Sequence, residues 1–158
     1  MEKRLTIDYQ EFECIEQLPQ ADRELAIAAA DAIKGSYAPY SNFHVGAAVR
    51  LKDGNIVKGS NQENAAYPSG LCAERTAMFW ANANHPGVPM TGIAIAATYD
   101  DGTAPANPAT PCGSCRQVMA EFQKVGGEPM SVILIGGKVI WKFSKVDDVL
   151  PFIFTSLD

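Results

Sequence analysis

The sequence predicts an α/β protein, a three-layer α/β/α sandwich with helices on both faces of a mixed, roughly five-stranded sheet. Three observations carry this. Apolar strand-like runs alternate with alanine- and leucine-rich helical runs along the chain, which is the pattern of helices laid against one sheet. The 158 residues make one ordinary domain, 1–158, able to bury about two thirds of the surface the unfolded chain exposes. No repeat, linker or low-complexity tract divides it.

Residues 1–20 form a lead-in without a readable pattern or role. "DRELAIAAADAIK", residues 22–34, is rich in helix formers; Leu25, Ala28, Ala29 and Ala32 recur at helical spacing, and Gly35 stands where a C-terminal cap belongs. "YAPYSN" is a loop. "FHVGAAVRL" and "NIVKGSN" then flank "KDG", a hairpin signal, and give two antiparallel strands. "QENAAYPSG" leads into "LCAERTAMFWANAN", a second helix that "HPG" stops. "TGIAIAATY" is a buried strand, "DDGTAPANPATP" an irregular loop, "CGSCRQVMAEFQK" a third helix and "MSVILIGG" another buried strand. "KVIWKF" reads as an edge strand, and "SKVDDVLPFIF" as a short helix ended by Pro151.

Thirteen basic against eighteen acidic residues give a formal charge of -5, which argues against a surface built to grip nucleic acid. The opening "MEKRLTIDYQEFECIEQ" has no continuous apolar core of the kind a signal peptide needs, and no later run approaches the length of a membrane span. The expectation is a cytoplasmic protein without membrane partners, whose four cysteines are reduced.

Chemistry gathers at two helix starts. Cys72, Cys112 and Cys115 all fall where unpaired N–H groups and a partial positive charge stabilise a thiolate. Cys112 and Cys115, three apart, can converge on one ion, and thiolates are favoured zinc ligands. Alone, C-x-x-C also reads as a redox dithiol and Cys72 as a core residue. Together the three make three ligands for a metal that takes four, leaving a position for water, which such a metal acidifies towards neutrality. Cys14, His44 and His85 are the candidates that could instead close the shell, and a closed shell would be structural.

Glu74, two residues after Cys72, either complements the helix dipole or moves a proton to and from metal-held water. Arg75 and Arg116 each follow a candidate ligand. Either they are solvent-facing helix arginines, or they donate to thiolate sulfurs and draw negative charge off the metal.

C-A-E followed by P-C-x-x-C resembles the signature of the zinc-dependent nucleobase deaminases, with Cys72 where the usual form has histidine. That substitution, with "NQENAAYPSGLCAERTA", "PCGSCRQVMAEF", "YAPYSNFHVGAAV" and "VLPFIF", resembles the small cytidine deaminases of nucleoside salvage over about residues 22–154. The resemblance implies one zinc ion per subunit on Cys72, Cys112 and Cys115, with Glu74 as proton shuttle while hydroxide on the zinc attacks C4 of cytidine or deoxycytidine. It implies that Asn61 and Glu63 bind the sugar hydroxyls, that Phe43 and Ala73 line the pocket, and that Phe154 stacks on the pyrimidine across a subunit interface. A homotetramer with shared active sites is implied as well. The segment before Cys112, about residues 99–111, is longer than the family's usual link and is expected beside the pocket mouth, and the tail after Phe154 is short. Other aminopyrimidine substrates such as blasticidin S, a structural zinc module and a thiol oxidoreductase are the competing readings; a polynucleotide-base deaminase would demand histidine at position 72 and a basic surface.

Overall fold

A run such as "GIAIAAT" can hide both edges of its zigzag only if each face of the sheet is covered, and that is how the chain folds. The computed structural model describes residues 1–156. Six strands form one sheet: β1 (Gln10–Phe12), β2 (Phe43–Leu51), β3 (Ile56–Ser60), β4 (Met90–Tyr99), β5 (Ser131–Ile135) and β6 (Ile140–Phe143), in the order β1-β6-β5-β4-β2-β3. Only β4 and β5 pair in parallel, through a crossover that contains a helix. The sheet is therefore mixed.

The helices α1 (Gln20–Ala32), α2 (Ala73–Asn84) and α3 (Gly113–Gly126) divide between the faces. Alternate strand residues sort accordingly. Val49, Ile93, Ile95, Val132 and Leu134 pack with α2 and α3. Ala48, Ala94, Ala96 and Ile133 pack with Leu25, Ala26 and Ala29 of α1. Each fully buried valine, leucine or isoleucine contributes roughly 1.5–3 kcal/mol, so this two-sided burial fixes the register of the sheet.

Two expectations about the ends change. The sheet has six strands, not about five, because the acidic lead-in supplies β1, antiparallel to β6. Consequently "KVIWKF" is not an edge. Tyr9 stacks on Phe143 and meets Trp141 edge-on, and Trp141 Nε1 donates to Glu11 at 2.9 Å. Those long-range contacts hold a strand that its own sequence does not specify. Near the C-terminus the expected helix is a single 3-10 turn, Val146–Asp148, anchored by the buried Val146.

Two local contacts place the starts of α2 and α3. Gly59 on β3 lets α2 approach closely: a Cβ there would lie 2.8 Å from Ala77 Cα and 2.9 Å from the Ala73 carbonyl oxygen. The long loop between β4 and α3 is tied down by the β5–β6 turn, with Gly137 N–H donating to Pro105 O at 2.7 Å and Lys138 N–H to Ala106 O at 3.0 Å. It delivers Cys112 to the start of α3 next to the start of α2.

Candidate active site

Cys72 and Cys112 are the N-cap residues of α2 and α3, both in extended backbone, and their carbonyls accept the Thr76 and Arg116 N–H groups at 3.0 Å. An N-cap side chain ordinarily turns back to bond the helix N–H groups. These two thiols make no such bond. They turn to each other instead, with Cys72 Sγ 3.9 Å from Cys112 Sγ, and buried Cys115 brings a third sulfur within 4.8 Å of both. Zinc–sulfur bonds of about 2.3 Å in a tetrahedron put sulfurs about 3.8 Å apart, so the spacing fits one zinc ion.

Three sulfurs in so small a space cannot all keep ordinary acidity. A hydrogen bond from Cys115 and the nearby Arg75 hold the Cys72 thiol well below its usual range. Cys115 is pushed up by sharing its proton with Cys72, by burial and by the neighbouring Glu74 charge. Cys72 alone is thus ready as a thiolate, and a cation bound by all three sulfurs displaces the protons the others hold.

Glu74, in the first turn of α2, is 5% exposed. Burial pushes its carboxyl up to about 7, and negative charge on Cys72 adds to the effect against backbone hydrogen bonding and Arg75. A carboxyl near neutrality both takes and gives protons at physiological pH. It lines a cavity of about 340 Å³ that also receives Cys72, Cys112, Phe43, Asn61 and Glu63.

On the far wall, the Asn61 amide is held on both sides. Its Oδ1 accepts from Val45 N–H at 2.9 Å and from Ser36 Oγ at 2.5 Å, and its Nδ2 donates to Phe43 O at 2.9 Å. Glu63 Oε2 accepts the Tyr40 and Ser41 N–H groups at 2.9 and 3.2 Å; the Ser41 side chain first, and then these backbone bonds, hold its carboxyl below the usual range. One Asn61 N–H makes no hydrogen bond among the described residues, and with the Glu63 carboxylate it gives one cavity a donor beside an acceptor. Phe43 forms an apolar wall braced by Tyr99, ring centroids 5.5 Å apart, and Ala73 lies fully buried at the helix start.

Residues 19–126 match the family described as the cytidine and deoxycytidylate deaminase zinc-binding region. The chain belongs to this deaminase family. It is 46% identical over 102 residues to a cytidine deaminase of Halalkalibacterium halodurans, covering 64% of this chain and 72% of that one. It is 40% identical over 124 residues to a cytidine deaminase of Sporosarcina psychrophila, covering 78% and 83%. The crystal structure of a cytidine deaminase from Burkholderia pseudomallei superposes with a TM-score of 0.69 at 40% identity, covering 83% of this chain and 97% of the other. Zinc is the metal of this domain, and the three sulfurs supply one site per chain.

Within this deaminase fold the two arginines part ways. Arg75 Nη2 donates to Cys72 Sγ at 3.6 Å, as expected of a group that draws charge from the cluster. Arg116 instead spends its guanidinium on backbone, donating from Nε to Pro111 O at 2.8 Å and from Nη1 to Val149 O at 2.6 Å. It makes no hydrogen bond to a thiol among the described residues. Its structural work is to lock the loop before Cys112 to the C-terminal segment.

None of the three candidate fourth ligands joins the cluster. Cys14 is exposed ahead of a 3-10 turn, His44 bonds Ser36 and Asp100, and His85 caps the C-terminus of α2. Phe154 does not line its own chain's cavity; the residue is 63% exposed, and its carbonyl accepts from Gln117 Nε2 at 2.8 Å. Ala109 and Thr110, from the segment expected beside the pocket mouth, line the cavity, and Tyr67 and Leu71, which sequence reasoning missed, complete its wall. Tyr67 and Leu71 carry no signal beyond their nearness to Cys72.

Proposed function

We propose that the deaminase converts cytidine and 2'-deoxycytidine, with water, to uridine and 2'-deoxyuridine plus ammonia, as a salvage enzyme. The observation that carries this is a buried, near-neutral carboxyl, Glu74, opening on the same cavity as a three-sulfur zinc site. When bound, zinc supplies the Lewis acidity that makes water a nucleophile at neutral pH. Glu74 takes the proton given up by the attacking water, delivers it to N3 of the pyrimidine, and carries a second to the amino nitrogen that leaves C4. Arg75 holds the Cys72 sulfur and offsets the negative charge gathered there.

The remaining Asn61 N–H and the Glu63 carboxylate are suited to a sugar hydroxyl, which both accepts and donates. A free base makes neither of these bonds, and sites of this kind reject such analogues strongly. Phe43 and Ala73 bound the base. Phe154, exposed and absent from the lining of its own cavity, is available to stack on the pyrimidine bound by another copy, in a homotetramer with shared sites. The whole chain, 1–158, acts as one domain. No helix among the described residues is long and apolar enough to cross a membrane, and we place the enzyme in the cytoplasm.

The test is conversion of cytidine, deoxycytidine and free cytosine by zinc-loaded protein, followed by the ultraviolet change. The two nucleosides are expected to be consumed and cytosine to be about 10⁴-fold slower. Zinc-loaded protein that leaves both nucleosides untouched overturns the assignment. Phe154→Ala is expected to raise KM in every subunit, and mixing it with an active-site-dead variant should restore the pockets that receive an intact Phe154.

A further inference from the structure

The hydrogen bonds around Asn61 continue away from the cavity, and their proton directions are fixed by elimination. Asn61 Oδ1 accepts Val45 N–H while Nδ2 donates to Phe43 O, so turning the amide over would lose both bonds. Oδ1 can only accept, and the Ser36 hydroxyl 2.5 Å away must therefore point its proton at Asn61. Ser36 Oγ has then only lone pairs to offer His44 Nδ1, 3.1 Å away, so Nδ1 carries a proton. His44 Nε2 lies 2.7 Å from Asp100 Oδ1, a carboxylate oxygen that also only accepts, so Nε2 carries one too. The complete chain exists only with a doubly protonated, cationic ring.

We propose that His44, clamped by Asp100 of the long loop before Cys112, is a positioning residue that as an imidazolium holds Asn61 through Ser36 for sugar recognition. This rests on the sugar role proposed for Asn61. The charged groups facing the ring are Asp100 from that loop and Glu63 from the segment after β3, both anionic; Ser36 beyond α1 is neutral, as is Thr98, the register partner on β4. When His44 gives up its second proton, either Ser36 loses a donor or Asp100 faces a bare lone pair, and the Ser36 hydroxyl that braces Asn61 Oδ1 is no longer held in place, leaving Asn61 only its two backbone bonds.

Nucleoside KM therefore rises as pH rises through the His44 titration, by about fivefold, the worth of one hydrogen bond, while kcat holds. Asp100→Asn isolates the mechanism, because an amide N–H can donate to neutral Nε2 and leave the Nδ1 proton on Ser36. The rise of KM with pH should vanish in that variant, whose site is an exposed loop. His44→Phe should carry the high KM at every pH. In the zinc-loaded enzyme with nitrogen-labelled histidine and asparagine, the Asn61 side-chain amide signals should shift as His44 titrates, and cease to do so in Asp100→Asn.

A wild-type KM flat with pH, an Asp100→Asn profile identical to wild type, or Asn61 signals that stay still while His44 titrates each overturn the proposal. Asn61→Ala separates it from the underlying reading. If that variant leaves KM unchanged, Asn61 does not bind the sugar and both fall. If it raises KM while His44→Phe does not, only the role of His44 falls.

Discussion

Replacing Glu74 by glutamine should inactivate the enzyme and stabilise the zinc-free fold. The carboxyl moves from 4.5 to about 7 on folding, chiefly through burial. At 1.36 kcal/mol per pH unit that is about 3 kcal/mol, the cost of keeping Glu74 ionised in the folded metal-free chain. The sign is that of a raised acid. The folded chain binds the proton more tightly than the unfolded chain, so zinc-free wild type loses this contribution as pH rises from 4.5 towards about 7. Glutamine has the same shape and no charge to bury. Urea unfolding at one fixed subunit concentration should show Glu74→Gln more stable than wild type by about 3 kcal/mol at about pH 8, with the difference shrinking to near zero at about pH 4. The same variant should keep its zinc and lose about 10²–10⁴ in kcat, the usual worth of a general acid–base group. Equal stabilities at about pH 8, or a gain independent of pH, would refute the claim that burial of this carboxylate sets its acidity.

Other changes should act on the metal and on its supports. Cys112→Ser removes one of three sulfurs, and the protein should lose stoichiometric zinc in an equilibrium dialysis against chelator together with all turnover. Arg75→Gln removes the donor to Cys72 Sγ while leaving the ligands, and should weaken zinc affinity or kcat about 10- to 100-fold in a competition with a zinc indicator. Gly59→Ala drives a methyl into the Ala73 and Ala77 backbone, so α2 must shift; stability should fall by about 1–3 kcal/mol in denaturant, and kcat should fall with it because Cys72 and Glu74 ride on that helix.

Much of this was legible in the residues because local chemistry and tertiary role coincide. The α2 and α3 starts were readable from the loop-to-helix change in composition, and the same positions hold Cys72 and Cys112, so finding the helices found the ligands. The hairpin was readable from "KDG", with Gly54 at φ 92 and Asn55 N–H bonded to Asp53. What escaped depends on partners far along the chain. Gln10–Phe12 becomes a strand because Trp141 and Phe143 give Tyr9 and Glu11 something to hold. Arg116 looked like a second cation for the sulfurs, but carbonyls at Pro111 and Val149, the latter 33 residues away, claim it. The long loop before Cys112 was legible as extra length beside the pocket mouth, and Ala109 and Thr110 do line the cavity. What did not show is the β5–β6 turn that pins it and the contact of Asp100 with His44.

Titration of zinc into metal-free protein, with initial rates of cytidine loss read at each addition, tests the central claim most directly. Activity should rise linearly from none and break at one zinc per chain, as three sulfurs and a single open position require. Turnover without zinc, or a full equivalent of zinc bound with cytidine unchanged, would contradict it.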